Sequence, residues 1–555
     1  MSESPPRAWK LPLVLFLGVL VGLLQNLPER TYGDDLFFVW CIVRDRVFVA
    51  HFLYMPLARA WTAAAAHFGV DPLLALRLLS AVGSAAGIAL LAAAARRRGA
   101  GAVLACGLAL AVLTAGSTWF FAASGELHAV QLAAFGLLAW ILAGLRPASS
   151  PWRLLAAALA FGVAVGAHRS SGLLLPGVLA AYAFATPGRA AAQRLRDIGA
   201  FTLGGLASLG AMLGLQYTIT GSALSEHDGT DFWSEGLAVR LRKTLGPREF
   251  VEYLGEDWVA PAFALAVLGA FAAGGLARRD RRAFWALTVA LLPHAIFFPV
   301  FQYAERGAYY IVTLPVLAWA AARYASLERA TEAPCTAPRT AVGVLLLAGL
   351  GAMATREELL ALAPAGWLCA LAVACFAAGL ALPPPRVSAR SLAQGSVVLA
   401  ALQLVGSERE LAAWDSSTPL LDWGRDTVLA TGAPAPAGDR HPVLVATGFQ
   451  QYMLLLLLHR PWPEPYADTW DYAVELDNLG PTPFDIGAIA PVVGDGVQRF
   501  LDQGKRVFIL DAVFRHFEQE PSRGPYVRAL RERFKLTPVN RGDFAAYEMK
   551  MRSDG

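Results

Sequence analysis

The chain is short of charge. Of its 555 residues 16% are Asp, Glu, Lys or Arg and 56% are hydrophobic, where a soluble globular domain carries about 25% charged residues. With a mean hydropathy of +0.46, this deficit excludes a single large soluble enzyme and points to a polytopic membrane protein. Cysteine is scarce too. Cys41, Cys106, Cys335, Cys369 and Cys375 form no CxxC pair or metal-ligand spacing, and none follows residue 375, which argues against a disulfide framework and leaves small apolar packing residues. No basic tail or aromatic-studded basic stripe suggests nucleic-acid binding. No internal repeat at a fixed period is visible. The N-terminus, with Arg7 and Lys10 before the apolar run Leu11–Leu24, has a basic start like a secretory signal. It lacks a small-x-small cleavage site and reads as an uncleaved anchor.

Apolar runs of membrane length dominate what is present. At about 20 residues per span, thirteen are expected near 11–27, 73–95, 100–121, 126–145, 153–167, 171–186, 199–219, 259–277, 283–302, 307–325, 340–354, 364–381 and 391–406. The positive-inside rule tests that count. With Arg7 and Lys10 in the cytoplasm and strict alternation, Arg96-Arg97-Arg98, Arg146 with Arg153, Arg189 with Arg194 and Arg196, Arg278 to Arg282, Arg323 with Arg329 and Arg339, and Arg386 with Arg390 all fall on the cytoplasmic side. Merging the 153–167 and 171–186 runs into one kinked helix would break that pattern.

The outer side then receives a first loop (28–72), a second (221–258) and everything after about 407. The second loop holds eight acidic and four basic residues. Its Trp233, Tyr253 and Trp258 suggest short helices at the lipid interface. Beyond residue 406 apolar runs shorten. Pro442–Ala446, Arg506–Leu510 and Phe544–Met549 read as strands, and Gln450–His459 and Tyr526–Phe534 as helices. The expected architecture is an all-α polytopic membrane domain (1–406) followed by a small extracytoplasmic α/β domain (407–555).

Charges at the rim of a bilayer are costly and often functional. On the outer rim the alternation collects Asp34, Asp35 and His51, then Glu126 and His128, His168 and Arg169, and Glu305 and Arg306 followed by Tyr309 and Tyr310. Each has a plain structural reading. Gly33-Asp34-Asp35 is a turn composition, Glu126 a helix-start acid, His168 a packing histidine, Glu305-Arg306 a short-loop ion pair. Their shared side is the signal. Carboxylate, imidazole and guanidinium together suit transfer from a phosphate-linked donor to a polar acceptor. Asp34 or Asp35 suits the general base, Arg169 and Arg306 the leaving phosphate, and His51, Glu126 and His168 an orienting role. A carboxylate also stabilises a glycosyl transition state of oxocarbenium character.

Several segments resemble the GT-C superfamily of membrane glycosyltransferases, in particular the bacterial group related to protein O-mannosyltransferase. Tyr32-Gly33-Asp34-Asp35 is similar to the acidic motif of that group's first outer loop, and His51–Leu57 stands where an HPPGYPLY-like segment follows. Ser124-Gly125-Glu126-Leu127-His128 resembles its Glu-Val-Tyr segment, and Gly162–Pro176 its glycine-rich segment ending in His and Leu-Pro. The likeness covers mainly residues 10–190. Asp35 replaces the usual Glu or Ser, and the prolines after His51 are absent. The resemblance implies a glycosyltransferase that moves a sugar from a polyprenyl-phosphate carrier to an acceptor (protein, lipid or glycan) on the outer face of a bacterial inner membrane. It favours Asp34 over Asp35 as the base. Some relatives bind a divalent cation and others do not, and adjacent carboxylates on an extended segment point apart, so no metal ligand is assigned. A lipid-linked sugar flippase or transporter would instead place charges near the midplane and tend toward related halves. A non-catalytic scaffold of the same fold would have a filled outer cavity.

Overall fold

The computed structural model describes residues 9–27, 38–39, 41–42, 53–146, 149–220, 246–301, 307–329, 366–381, 389–413, 443–445, 497–499, 501–504, 506–510, 524–539 and 546–552. The chain divides into two compact units. One is Met1–Glu29 with Val47–Trp414, and the other is Arg30–Arg46 with Asp415–Gly555.

The first unit is helical. Its elements are α1 (Lys10–Gln25), α2 (Tyr54–Ala66), α3 (Pro72–Arg97), α4 (Ala102–Leu113), α5 (Gly116–Ala123), α6 (His128–Ala143), α7 (Trp152–Ala167), a 3-10 turn (Arg169–Leu174), α8 (Leu175–Ala185), α9 (Ala191–Thr220), α10 (Pro247–Leu254), a π turn (Gly255–Val259), α11 (Phe263–Arg279), α12 (Arg281–Phe301), a second 3-10 turn (Ala308–Thr313), α13 (Leu314–Arg329), α14 (Gly366–Ala381) and α15 (Ala389–Ala413). Four helices among the described residues are long and apolar enough to cross a membrane, or six if each of two bent pairs is one span. These lengths and compositions make the unit an integral membrane bundle. The expected span at 340–354 lies outside the described residues.

Helices α3 and α6 run parallel and touch backbone to backbone. A Cβ on Gly83 would lie 3.0 Å from the Ala129 carbonyl oxygen, and one on Gly136 would lie 2.7 Å from that of Gly87. Gly83 and Gly87 are four residues apart and share a helix face, as in other close membrane crossings. Hydrogen bonds fasten both ends. The Ser80 hydroxyl donates to the Glu126 carbonyl at 3.0 Å. At the far end Arg97 and Arg98 donate to the carbonyls of Trp140 and Leu142 at 3.1 and 2.7 Å.

The segment 152–185 reverses direction. Leu154, near the start of α7, packs with Tyr182 and Ala185 at the end of α8, and Arg189 donates to the Ser149 carbonyl at 2.8 Å. Two antiparallel helices, not one kinked helix, occupy it. Arg97, Arg98, Arg153 and Arg189 therefore gather at one end. Arg153 reaches the Gly144 carbonyl at 2.7 Å, and Arg323 pairs with Asp280 at 2.6 Å.

Two passes are broken. The expected span 100–121 bends by 74° between α4 and α5, and the chain bends by 109° between the π turn and α11. Breaks inside a bilayer need partners for freed backbone groups. Gln403 of α15 supplies them: its Oε1 accepts from the Ala264 amide at 2.7 Å, and its Nε2 donates to the Ala111 carbonyl at 3.0 Å. The Gly116 amide donates to the Pro261 carbonyl at 2.7 Å, tying one bend to the other.

The second unit holds β1 (Val443–Val445), β2 (Val507–Leu510), α16 (Gly524–Arg533), β3 (Phe534–Pro538) and β4 (Ala546–Met551). The sheet order is β1-β2-β4-β3, with β1 parallel to β2 and the other pairs antiparallel. The sequence pattern carries a helix through Phe534; the chain instead turns into β3 there. The helix expected at Gln450–His459 lies outside the described residues. On β4, burial alone pushes the Glu548 carboxyl up. The hydrogen bond and charge of Arg506, 2.7 Å away, with Lys550 adding to them, bring it below its ordinary value.

A Gly136→Val substitution puts side-chain carbons against the Gly87 backbone, which cannot yield. We expect a loss of roughly 1–3 kcal/mol or more, read as a lower melting temperature and less monodisperse protein. In the second unit the lowered Glu548 carboxyl contributes stability above its unfolded value, and this is lost as pH falls through the folded value. Solvent screening limits it to about 0.5 kcal/mol. Thermal melts of full-length protein and Glu548→Gln should converge as the pH is lowered below about 4.

Candidate functional site

The end of the bundle opposite the arginines carries most of its buried polar side chains. Helix α6 begins there. Glu126 and His128 are both buried, 5% and 3% exposed, and Tyr54 at the start of α2 donates to the neighbouring Gly125 carbonyl at 2.5 Å. Helix α7 ends at the same level. His168 leaves the helix in an extended conformation and opens the 3-10 turn. Two residues earlier, the Gly166 carbonyl accepts from the Leu53 amide at 2.9 Å. The His128 and His168 rings are 5.2 Å apart.

Hydrogen bonds set the two imidazoles in opposite senses. The Ser171 hydroxyl donates to the Ala164 carbonyl at 2.9 Å, so its oxygen accepts from Gln131 Nε2 at 2.8 Å. Gln131 Oε1 is thereby left to accept from His128 Nδ1 at 3.0 Å. A neutral His128 then carries its proton on Nδ1 and presents the Nε2 lone pair. At His168, Nδ1 accepts from the Ser170 amide at 3.2 Å and faces the Ser170 hydroxyl at 2.6 Å. Its neutral form carries the proton on Nε2, a donor.

Aromatic rings continue from this pair. Phe121 lies 4.5 Å from His128, and Tyr309 lies 5.4 Å from His168. Phe298 of α12 stacks on Tyr309 at 4.8 Å and meets Tyr310 edge-on at 5.5 Å. Tyr310 stacks on Trp258 at 5.0 Å, and Trp258 donates to the Thr313 hydroxyl at 3.0 Å. Gly307 makes the last part of this row. It is left-handed at φ 80°, and a Cβ there would sit 2.8 Å from the Asp257 carbonyl oxygen, so only glycine turns the chain into the Tyr309–Tyr310 segment without strain. One turn below Phe298, His294 is fully buried, and neither ring nitrogen has a hydrogen-bond partner among the described residues.

The structure thus brings Glu126 and His168 together at one end, with His128 between them. Arg169 follows at the start of the 3-10 turn and is exposed. Asp34, Asp35, His51, Glu305 and Arg306 lie outside the described residues. Sequence reasoning gave no part to Gln131, Ser171, Asp257 or His294. Trp258, in a segment expected at the lipid interface, stacks on Tyr310 within the aromatic row. Asp257 beside it is 8% exposed. An acidic residue next to a tryptophan in an apolar stretch was the one signal available for it. Among the described residues no three His, Cys, Asp or Glu side chains gather as a metal site would require.

Between these rings and the arginines runs an apolar cavity of about 150 Å³, bounded near the rings by Leu174 and Val312 and at the far end by Arg98 and Ala322.

No protein-family model matches the chain, and no curated protein matches it. Solved structures do. ArnT from Cupriavidus metallidurans in the apo state superposes with a TM-score of 0.54 at 16% identity, over 98% of both chains. The same protein bound to undecaprenyl phosphate gives 0.55 at 16% identity, again over 98% of both. The chain shares the fold of ArnT. The match covers residues of both compact units.

Gln131→Leu would leave His128 Nδ1 and the Ser171 hydroxyl without their shared partner. Losing a buried hydrogen-bonding group costs about 1–3 kcal/mol. We expect a melting temperature lower by several degrees, with Gln131→Asn restoring little because its amide is one methylene short.

Proposed function

We propose that the protein is a GT-C-type glycosyltransferase that moves a sugar from a polyprenyl-phosphate carrier to an acceptor at the histidine end of the bundle. The observation that carries this reading is the ArnT fold over 98% of the chain, a fold solved with undecaprenyl phosphate bound. The buried polar end, with Glu126, His128 and His168, supports it, because such groups are expensive to place in a membrane protein without a task.

In this reading the acceptor hydroxyl or amine attacks the anomeric carbon. The carbon–oxygen bond to the carrier phosphate breaks, and polyprenyl phosphate leaves with the bonding pair. The acceptor proton passes to a carboxylate, which we assign to Asp34, with Asp35 in support. Arg169 and Arg306 neutralise the departing phosphate by paired hydrogen bonds. His168, whose Nε2–H is a donor, is placed to help them. His51, Glu126 and Glu305 orient the substrates. Thirteen spans with alternating loops put this end outside the cytoplasm and Arg98 inside, with the C-terminal domain extracytoplasmic and the acceptor arriving from that side. The acceptor is a protein, lipid or glycan of the cell envelope.

The test is transfer by the purified full-length protein in lipid nanodiscs from a labelled polyprenyl-phosphate sugar. Asp34→Asn should lower turnover by about a hundredfold or more, the scale of a lost general base. Arg169→Ala should raise the KM for the donor. Full activity in an Asp34→Asn protein would remove Asp34 from the role. Net movement of the intact lipid-linked sugar across the bilayer, without transfer, would replace the reading with a transporter.

A further inference from the structure

The basic end of the bundle has a feature that positive loops alone do not require. Arg98 is half-buried. It borders the apolar cavity, whose walls include Ala94, Ala109, Leu138, Ala318 and Trp319. Its Nη2 donates to the Leu142 carbonyl at 2.7 Å, while its Nε is buried and has no hydrogen-bond partner among the described residues. The charges of Arg146 and Arg323 act on it, and after burial they are what lowers its pKa. Arg323 lies 5.3 Å from the ring of Phe184, another wall of the cavity. Arg323 itself pairs with Asp280 at 2.6 Å. Arg98 thus lines the apolar space, Arg323 reaches its wall at Phe184, and of the two only Arg323 pairs with a carboxylate among the described residues.

A cationic mouth on an apolar cavity matches one chemistry, an anionic head on a hydrocarbon chain. The cavity is about 150 Å³. That is on the order of ten times what a single water needs by the same measure, enough for a chain of about ten carbons. We propose that this end of the bundle holds an anionic phospholipid, with one acyl chain in the cavity and its phosphate among Arg98, Arg146 and Arg323. The phosphate there is not the donor's. Ser80 touches Glu126, and Arg98 lies eighteen residues further along the same helix, roughly 27 Å at 1.5 Å per residue. That is close to the thickness of a hydrocarbon core, ~30 Å, so the two ends face opposite leaflets. An anionic lipid at Arg98 meets the repulsion within the trio and the unpartnered Nε at once. Basic pockets between helices on the cytoplasmic side are where such headgroups bind.

Native mass spectrometry of the full-length protein extracted in mild detergent tests this directly. An anionic phospholipid should be retained at one per chain. Arg98→Gln should reduce its occupancy by about fivefold or more. Ala318→Phe, which fills the cavity and leaves every arginine in place, should do the same. In vesicles, adding phosphatidylglycerol to phosphatidylcholine should raise the melting temperature of the unaltered protein by several degrees and that of either variant by much less. Melting in phosphatidylcholine alone shows whether each variant folds; if Arg98→Gln does not, Ala318→Phe carries the test. Equal retention of a zwitterionic lipid, unchanged occupancy in Ala318→Phe, retention of polyprenyl phosphate in place of phospholipid, or the same stabilisation by inorganic phosphate alone would each overturn the proposal. Because the readouts are lipid occupancy and melting, they stand whether or not sugar transfer is observed.

Discussion

The contact between α3 and α6 governs the first unit. Two parallel helices approach until backbone meets backbone, which only glycine at 83, 87 and 136 permits. Everything at either end is then positioned by a helix that cannot slide. At one end Ser80 holds the Glu126 carbonyl, which fixes where α6 begins and so where His128 stands. At the other end Arg97 and Arg98 hold the last carbonyls of α6, where cations favourably meet the negative end of the helix dipole. A small rotation of this pair would displace the buried imidazole and the arginine mouth together.

The polar end is built from pieces of many helices. Phe121, His128, His168, Phe298, Tyr309, Tyr310 and Trp258 come from helix ends and turns far apart in sequence, joined ring to ring. Ring stacking and hydrogen-bonded imidazoles hold the row, which suits a setting where unpaired charge is costly. The two histidines present one acceptor and one donor to the same neighbourhood. The Ser171 hydroxyl, committed to the Ala164 carbonyl, sets His128 through Gln131, and the Ser170 amide sets His168.

Much of the bundle was legible in the sequence, because hydropathy marks where helices run and arginine marks which end they share. The separation of α7 from α8 is legible in the parity of the basic clusters, and their meeting ends agree with it. Glu126 and His168 were legible as a pair because polar residues interrupt apolar runs at the same depth. The bend at Thr114 was not, since Leu113-Thr114-Ala115-Gly116-Ser117 has no charge or proline to end a span and the break is stabilised by Gln403, 289 residues distant. The link from Gln131 to Ser171 spans 40 residues and leaves no local pattern. Strand β3 was hidden because Arg531-Glu532-Arg533-Phe534 continues a helical rhythm, and its pairing with β4 overrides that preference.

The role of Gln403 bears on how the protein is made. Helices α4, α5 and α11 enter the membrane well before residue 403 is synthesised. Until then the Ala264 amide and the Ala111 carbonyl lack the partner that their bends require. The nascent bundle therefore holds two incomplete breaks, and both lie beside rings of the polar end. Insertion of α15 closes them together, so the polar end takes its final shape only when that late helix arrives. A chain stopped before α15 would have most of its hydrophobic helices in the bilayer and still lack a finished polar end.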